Sequence, residues 1–203
     1  AAAATDADGG ERTDLTGVPF VTIDPPGARD LDQAVHIETA GSGHRVRYAI
    51  AYLRAVVEPG SALEAESLRR GQTVYLPDGA VPLHPPVLSE GSASLLPDEV
   101  RPAVVWTVEV DSEGETVAVA VERALVRSTL RLDYAGVQAD ADAGRLHSSI
   151  AGLPLLGERL RLRGVRAGAI SLRLPAQEVV RSEWGWTLAI EPRVAVDEWN
   201  AQI

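Results

Sequence analysis

The sequence predicts an α+β fold, a mostly antiparallel sheet carrying a few helices. Two pairs of alternating apolar and polar runs, each joined by a short glycine-bearing turn, supply the hairpins of such a sheet. Helical periods are few and short, and no internal repeat runs through the 203 residues.

Residues 1 to 17 are small and polar without periodicity, which predicts a disordered tail or linker ahead of one domain over residues 18 to 203. Val18 to Ile23 is a β-branched run ended by Asp24-Pro25-Pro26-Gly27, because proline cannot sit in a central strand. Leu31 to Ile37 and Arg45 to Ala51 alternate on either side of Gly41-Ser42-Gly43 and predict a hairpin. Ser61 with Glu64 three residues on is a capping box, and Gly71 is a stop, so a short helix spans Ser61 to Arg70. From Thr73 to Pro97 the chain is rich in proline and reads as an ordered loop region holding one short strand, Thr73 to Leu76. Long loops of this kind are often functional. Val104 to Val110 and Thr116 to Leu125 flank Asp111-Ser112-Glu113-Gly114, a second hairpin. Tyr134 to Ala143 and Ile150 to Arg163 read as helices; Trp186 to Ile190 and Arg193 to Val196 read as short strands.

Composition narrows the function. With no cysteine, a disulfide framework, a thiolate nucleophile and a cysteine-rich zinc site are excluded, which fits a reducing cytoplasm. Nowhere do about 18 apolar residues run together, so no membrane span is expected. All 19 basic residues are arginine and face 29 acids, a net charge of −10 that argues against nucleic-acid binding over the whole surface. Between Arg123 and Arg173, however, nine arginines meet four acids, a net +5. Either a polyanion approaches this segment, or the arginines form a solvated helix face.

The strongest local constellation is Asp24-Pro-Pro-Gly-Ala-Arg-Asp30-Leu-Asp32, where a rigid bend separates one carboxylate from a pair that shares a face if the chain is extended. Three carboxylates gathered at a bend repel one another unless a cation sits between them, and hard oxygen donors select magnesium or manganese. Such an ion polarises a phosphate oxygen and generates hydroxide, the chemistry of phosphodiester hydrolysis. The same residue types also form ordinary turns and caps. His36, His44, His84 and His147 show no metal-ligand spacing and read as surface or loop residues. Trp184, Trp186 and Trp199 read as core or interface residues.

The string Phe20-Val-Thr-Ile-Asp24, followed by Arg29-Asp30-Leu-Asp32-Gln-Ala34, closely resembles the opening active-site motif of the RNB, or ribonuclease II-type, exoribonucleases. Tyr48-Ala-Ile-Ala51, Val57-Glu-Pro-Gly-Ser61, Val74-Tyr-Leu-Pro-Asp78, Val81-Pro-Leu-His-Pro85, Ser94-Leu95 and Arg101-Pro102 follow in family order. Leu132-Asp-Tyr134 and Val196-Asp-Glu-Trp-Asn200 extend the resemblance to roughly Phe20 to Ile203, the amino-terminal half of an RNB catalytic domain, with wording like the short forms of high-GC bacteria. The resemblance implies a cytoplasmic, magnesium-dependent 3′ to 5′ exoribonuclease that hydrolyses single-stranded RNA to nucleoside 5′-monophosphates. It implies Asp24, Asp30 and Asp32 as catalytic and metal-binding residues, with Gln33 a neutral ligand where the family often has a fourth aspartate. It also implies Tyr75 as the aromatic stacked on the terminal nucleotide, the alternative being a strand tyrosine half in the core. The resemblance further implies that Tyr134, Asp197 and Glu198, at positions that in relatives contact the 3′ nucleotides, favour RNA through the ribose 2′-hydroxyl. The two acids equally suit the first turn of a helix.

Two departures stand against this pattern. Tyr52 occupies a position where relatives usually carry aspartate, and the family's transition-state arginine and carboxy-terminal half lie beyond the matched residues. Three function classes follow: the exoribonuclease, a catalytically inactive RNA-binding or scaffold module that keeps the fold, and an unrelated metal-dependent hydrolase of small phosphorylated substrates. Metal-dependent cleavage separates the first two, and dependence on RNA length separates the third.

Overall fold

The structure is a computed structural model that describes residues 9–170, 172, 174–191 and 193–202. Order in the sheet begins earlier than composition predicts. Thr13–Asp14 (β1) pairs in parallel with Ala124 and Leu125. It is fixed there because Asp14 accepts hydrogen bonds from the Thr16 amide and hydroxyl while the Leu15 amide bonds the Leu125 carbonyl. A linker through residue 17 therefore does not hold for residues 13 to 17, and residues 1 to 8 lie outside the described residues.

Phe20–Ile23 (β2) leads through the bend to Gln33–Ala40 (β3) and Gly43–Ala51 (β4), which pair antiparallel from Gln33↔Ile50 to Ala40↔Gly43 as the first hairpin predicts. Gly43 is required for packing: a Cβ there would lie 1.9 Å from the Val110 carbonyl oxygen. Ala62–Arg70 (α1) has the expected cap, Ser61 Oγ accepting from the Glu64 amide at 3.2 Å, but buries no residue. Val74–Leu76 (β5) and Gly79–Val81 (β6) form a separate two-stranded ribbon.

Val100–Val110 (β7) and Thr116–Leu132 (β8) form the second hairpin, closed by Asp111 Oδ1, which accepts from the amides of Glu113 and Glu115 at 2.8 and 2.9 Å. Strand β8 runs seven residues past the predicted Leu125 because it changes partner. Residues up to Arg127 pair with β7, and Ser128 to Leu132 pair in parallel with β2. Hydrogen bonding thus closes a circuit, β8–β2–β3–β4–β7–β8, mostly antiparallel as the sequence predicts. Phe20, Ala34, Ala49, Leu95, Ala103, Val105, Ala124 and Val126 fill one core cluster, where alanine predominates around a single phenylalanine. The alternate face carries Val21, Val35, Ile37 and Val46 against the helices.

Those helices are Tyr134–Asp142 (α2), Leu153–Arg166 (α3) and Ala195–Asn200 (α4), which contribute Val137, Leu153, Leu156 and Val196 to that cluster, each side chain worth about 1.5–3 kcal/mol on burial. The helix expected over Ile150 to Arg163 starts at Leu153, after a 3₁₀ turn at Ser148–Ile150, with proline in its first turn. Arg193 to Val196 is not a strand. Asp197 accepts from the Val194 amide at 2.9 Å and nucleates α4 from Ala195. Trp186 to Ile190 is a strand as predicted, within Gly185–Glu191 (β10), but it pairs with Ala176–Ser182 (β9), which the sequence did not mark. Trp184 and Trp186 are exposed rather than core; Trp199 packs partly buried against the helix-side cluster.

Candidate active site

The bend after β2 brings two carboxylates together. Val21 pairs with Val35, and extending that register by three positions sets Asp24 opposite Asp32. The Asp24 amide bonds the Leu132 carbonyl at the end of β8, and the Asp32 carbonyl accepts the Ala51 amide at the end of β4, so both positions hang on the sheet. Between them the loop is tied at Ala28, whose carbonyl accepts from Arg131 Nη1 at 2.7 Å, and at Leu31, which is buried.

A polar cavity of about 150 Å³ opens here, with Asp24, Asp32, Gln33, Tyr48, Tyr134 and Asn200 in its wall. Burial raises the Asp24 carboxyl above the ordinary carboxylate range; the Thr22 hydroxyl opposes this, and the charges of Asp32 and Asp30 add to it. Asp24 Oδ2 is buried and has no hydrogen-bond partner. The neighbouring Thr22 hydroxyl lies close but is likewise without a bond of good geometry. Asp32 stands at an exposed position, yet the surrounding chain removes enough water to raise its carboxyl too, with Asp30 adding repulsion. The phenols of Tyr48 and Tyr134 are raised by burial first, then by the carboxylates of Asp32 and Asp24 respectively.

Asp30 does not line this cavity. It is exposed on the loop before β3 begins, and its charge reaches both aspartates from there. Gln33 Oε1 accepts from the Tyr48 hydroxyl. Tyr134 opens α2 and its hydroxyl accepts from Asn200 Nδ2 at 3.4 Å. Tyr75 is 73% exposed on β5, so it is not a half-buried core residue. Asp197 caps α4, and Glu198 lies beside Arg161 rather than at the cavity. Tyr52, the departure from the family pattern, stacks under the Arg12 guanidinium at 5.9 Å and is not in the cavity wall.

Tyr48 and Asn200 were not singled out from sequence. Tyr48 was findable once the register was known, because Val35↔Tyr48 puts it diagonal to Gln33 on one face of the hairpin. Asn200 carried no such signal. The arginine-rich segment resolves toward the solvated face. Arg161, Arg163 and Arg166 pair with Glu158, Glu115 and Glu113, and Arg159 reaches the Ser42 carbonyl. Nor are the histidines surface residues throughout, for burial lowers His36, His44 and His84.

Among the described residues, no three or more His, Cys, Asp and Glu side chains gather closely enough to hold a metal by themselves. Two carboxylates, one with an orphaned buried oxygen, nonetheless fit magnesium, which keeps several waters and is commonly held by one or two carboxylates together with substrate phosphate.

The family model of the RNB domain matches residues 12–192. Ribonuclease R of Acidithiobacillus ferrooxidans is 38% identical over 128 residues, covering 63% of this chain and 29% of that protein. The human exosome complex exonuclease RRP44 is 32% identical over 176 residues, covering 84% of this chain and 18% of that protein. The apo structure of Mycoplasma genitalium RNase R superposes with a TM-score of 0.87 at 25% identity, over 94% of this chain and 31% of that one. The chain thus spans less than a third of the length of these relatives.

Proposed function

Because this chain belongs to the RNB domain family, we propose that it carries the acidic half of the active site of a magnesium-dependent exoribonuclease. The enzyme shortens single-stranded RNA from its 3′ end and releases nucleoside 5′-monophosphates. The observation that carries this reading is the pairing of Asp24 with Asp32 across one polar cavity, with a buried carboxylate oxygen that has no protein partner.

Asp24 and Asp32 would hold the ion, and when bound it would supply a Lewis acid for the scissile phosphate and lower the pKa of an attacking water. Asp30 adds negative charge from outside the wall and raises the demand for a cation. Tyr48 donates to the Gln33 amide oxygen, the one atom of that side chain that could serve as a neutral ligand. Tyr134, anchored by Asn200, places a phenol beside Asp24, where it can donate to a ribose hydroxyl or a phosphate oxygen. Tyr75, exposed on its ribbon, offers a free ring face for base stacking. Asp197 serves first as the cap of the helix that brings Asn200 to Tyr134; with Glu198 it belongs to the RNA-contacting set only through that role. The transition-state arginine and the other wall of the channel would come from the carboxy-terminal half of the domain, which this reading requires. A cysteine-free chain suits a cytoplasmic enzyme.

The test is cleavage of a 5′-labelled single-stranded RNA in magnesium and in chelator, by the chain alone and mixed with the carboxy-terminal half. The reading predicts a magnesium-dependent ladder shortening from the 3′ end, abolished by Asp32→Asn. Two observations favour a second reading, a non-catalytic RNA-binding module: the neutral Gln33 engages Tyr48, and no three acids gather among the described residues. RNA bound equally well with and without magnesium, and never cut in any mixture, would establish that module.

A further inference from the structure

The loop that carries Asp30 and Asp32 is held by a second loop more than sixty residues away, and one side chain makes the central contact. Ser94 is 1% exposed. Its hydroxyl donates to the Arg29 carbonyl at 2.6 Å and accepts the Leu31 amide at 3.0 Å, so it spans the two peptide groups on either side of Asp30. A buried serine hydroxyl can satisfy itself on a carbonyl of its own turn; this one instead bridges residues 63 and 65 positions away. The contact is registered on both sides. The Leu95 amide bonds the Leu31 carbonyl at 2.7 Å, and Leu31 and Leu95 are each 1% exposed. Arg101 Nε holds the Ser94 carbonyl at 3.2 Å, and Arg29 pairs with Glu90 at 3.5 Å. The Leu95–Leu31 backbone bond already joins the two loops at one point, and the hydroxyl adds two more, on either side of Asp30. What it adds is a fixed path through Asp30 and into Asp32.

We propose that Ser94 is a positioning residue for the cavity, its hydroxyl fixing the chain on both sides of Asp30 so that Asp32 faces Asp24 across the space a single cation takes. This rests on the reading of Asp24 and Asp32 as the cation's holders. Ser94 touches neither substrate nor ion; it acts through the backbone, as groups behind metal ligands do, whose loss weakens metal binding by about tenfold or more.

The experiment compares the full chain with Ser94→Ala and with Ser149→Ala, which deletes another buried serine hydroxyl bond, to the Pro19 carbonyl ahead of β2. Two quantities are read: hydrogen exchange of the Leu31 amide, and binding of Mn²⁺ alone by titration. The proposal expects Ser94→Ala to speed Leu31 exchange and to weaken Mn²⁺ binding by about tenfold or more, while Ser149→Ala changes neither. If Ser94→Ala does not fold, Ser94→Cys keeps a weak donor of similar shape and is expected to show the same two changes in smaller measure. Unchanged Leu31 exchange, or faster exchange with Mn²⁺ binding intact, overturns the positioning role and leaves the cation reading standing. A wild-type chain that takes up no Mn²⁺ overturns the cation reading, and the role of Ser94 with it.

Discussion

Asp24 carries an ionisable group in a place that disfavours its charge. Burial is the largest cause, and the repulsion of Asp32 and Asp30 adds to it. With its proton held more tightly in the folded state than in the unfolded one, the native chain binds more protons in the window between the ordinary carboxylate value and the raised one. Stability falls as pH rises through that window, and at neutral pH the full cost of the buried charge is present. Asp24→Asn removes that cost. In chelator at pH 7 the variant is expected to melt higher than the wild type. Adding magnesium should raise the wild-type Tm and leave the variant unmoved, because ligand binding stabilises only a chain that has the site. A lower Tm for Asp24→Asn in chelator, read by thermal denaturation, would mean that this carboxylate is structural. Asp24 and Asp32 were marked in the sequence by the bend and its spacing and Gln33 by the family resemblance, and all three line one cavity. Asp30's place outside the wall was not legible, since it depends on how Ser94 and Leu95 pull the loop.

At the scale of elements, both hairpins were legible because turn and alternation agree. The Asp111 side chain caps the turn that the sequence marks, and Gly43 sits where no Cβ fits. Elements whose ends are set by tertiary partners were not. The last residues of β8 alternate little in burial and hold strand geometry because β2 takes over from β7. Helix α4 has only six residues, too short for a period, and exists because Asp197 caps it and Val196 is buried. Its contact with α3 is made through Gly157, where a Cβ would lie 2.7 Å from Trp199 Cα. Gly157→Ala should therefore push α4 away. Helix propensity gains about 1 kcal/mol, but overpacking costs about 1–3 kcal/mol, so the net loss is modest. The larger expected effect is local: the Asn200 hydrogen bond to Tyr134 is lost, and amides of α4 exchange faster than those of α3. Equal exchange in the two helices would show that the contact is not what holds α4.

Across the whole molecule, a closed strand circuit with one alanine-rich interior cluster makes a rigid base, and the cavity opens where β2, β3 and β4 meet α2 and α4. The fold class was legible, but closure was not, since no local pattern states that β8 has partners on both edges. Of the nine arginines behind the gradient read from sequence, Arg145, Arg161, Arg163 and Arg166 pair with local acids, so in the proposed reading attraction for a polyanion would come in good part from the cation and from the rest of the domain. That places the burden of the account on the carboxylate pair and the reaction it supports. Hydrolysis by water breaks the bond from phosphorus to the 3′ oxygen and leaves the phosphate on the released nucleotide's 5′ oxygen. Attack by the neighbouring ribose 2′-hydroxyl needs no metal-held water and leaves a 2′,3′-cyclic phosphate instead. The most direct measurement is the mass of the products formed from single-stranded RNA in magnesium by the chain mixed with its carboxy-terminal half, beside the same mixture carrying Asp32→Asn. Nucleoside 5′-monophosphates from the first mixture and none from the second are the predicted result; cyclic or 3′-phosphates, or 5′-monophosphates released equally by the Asp32 variant, would contradict it.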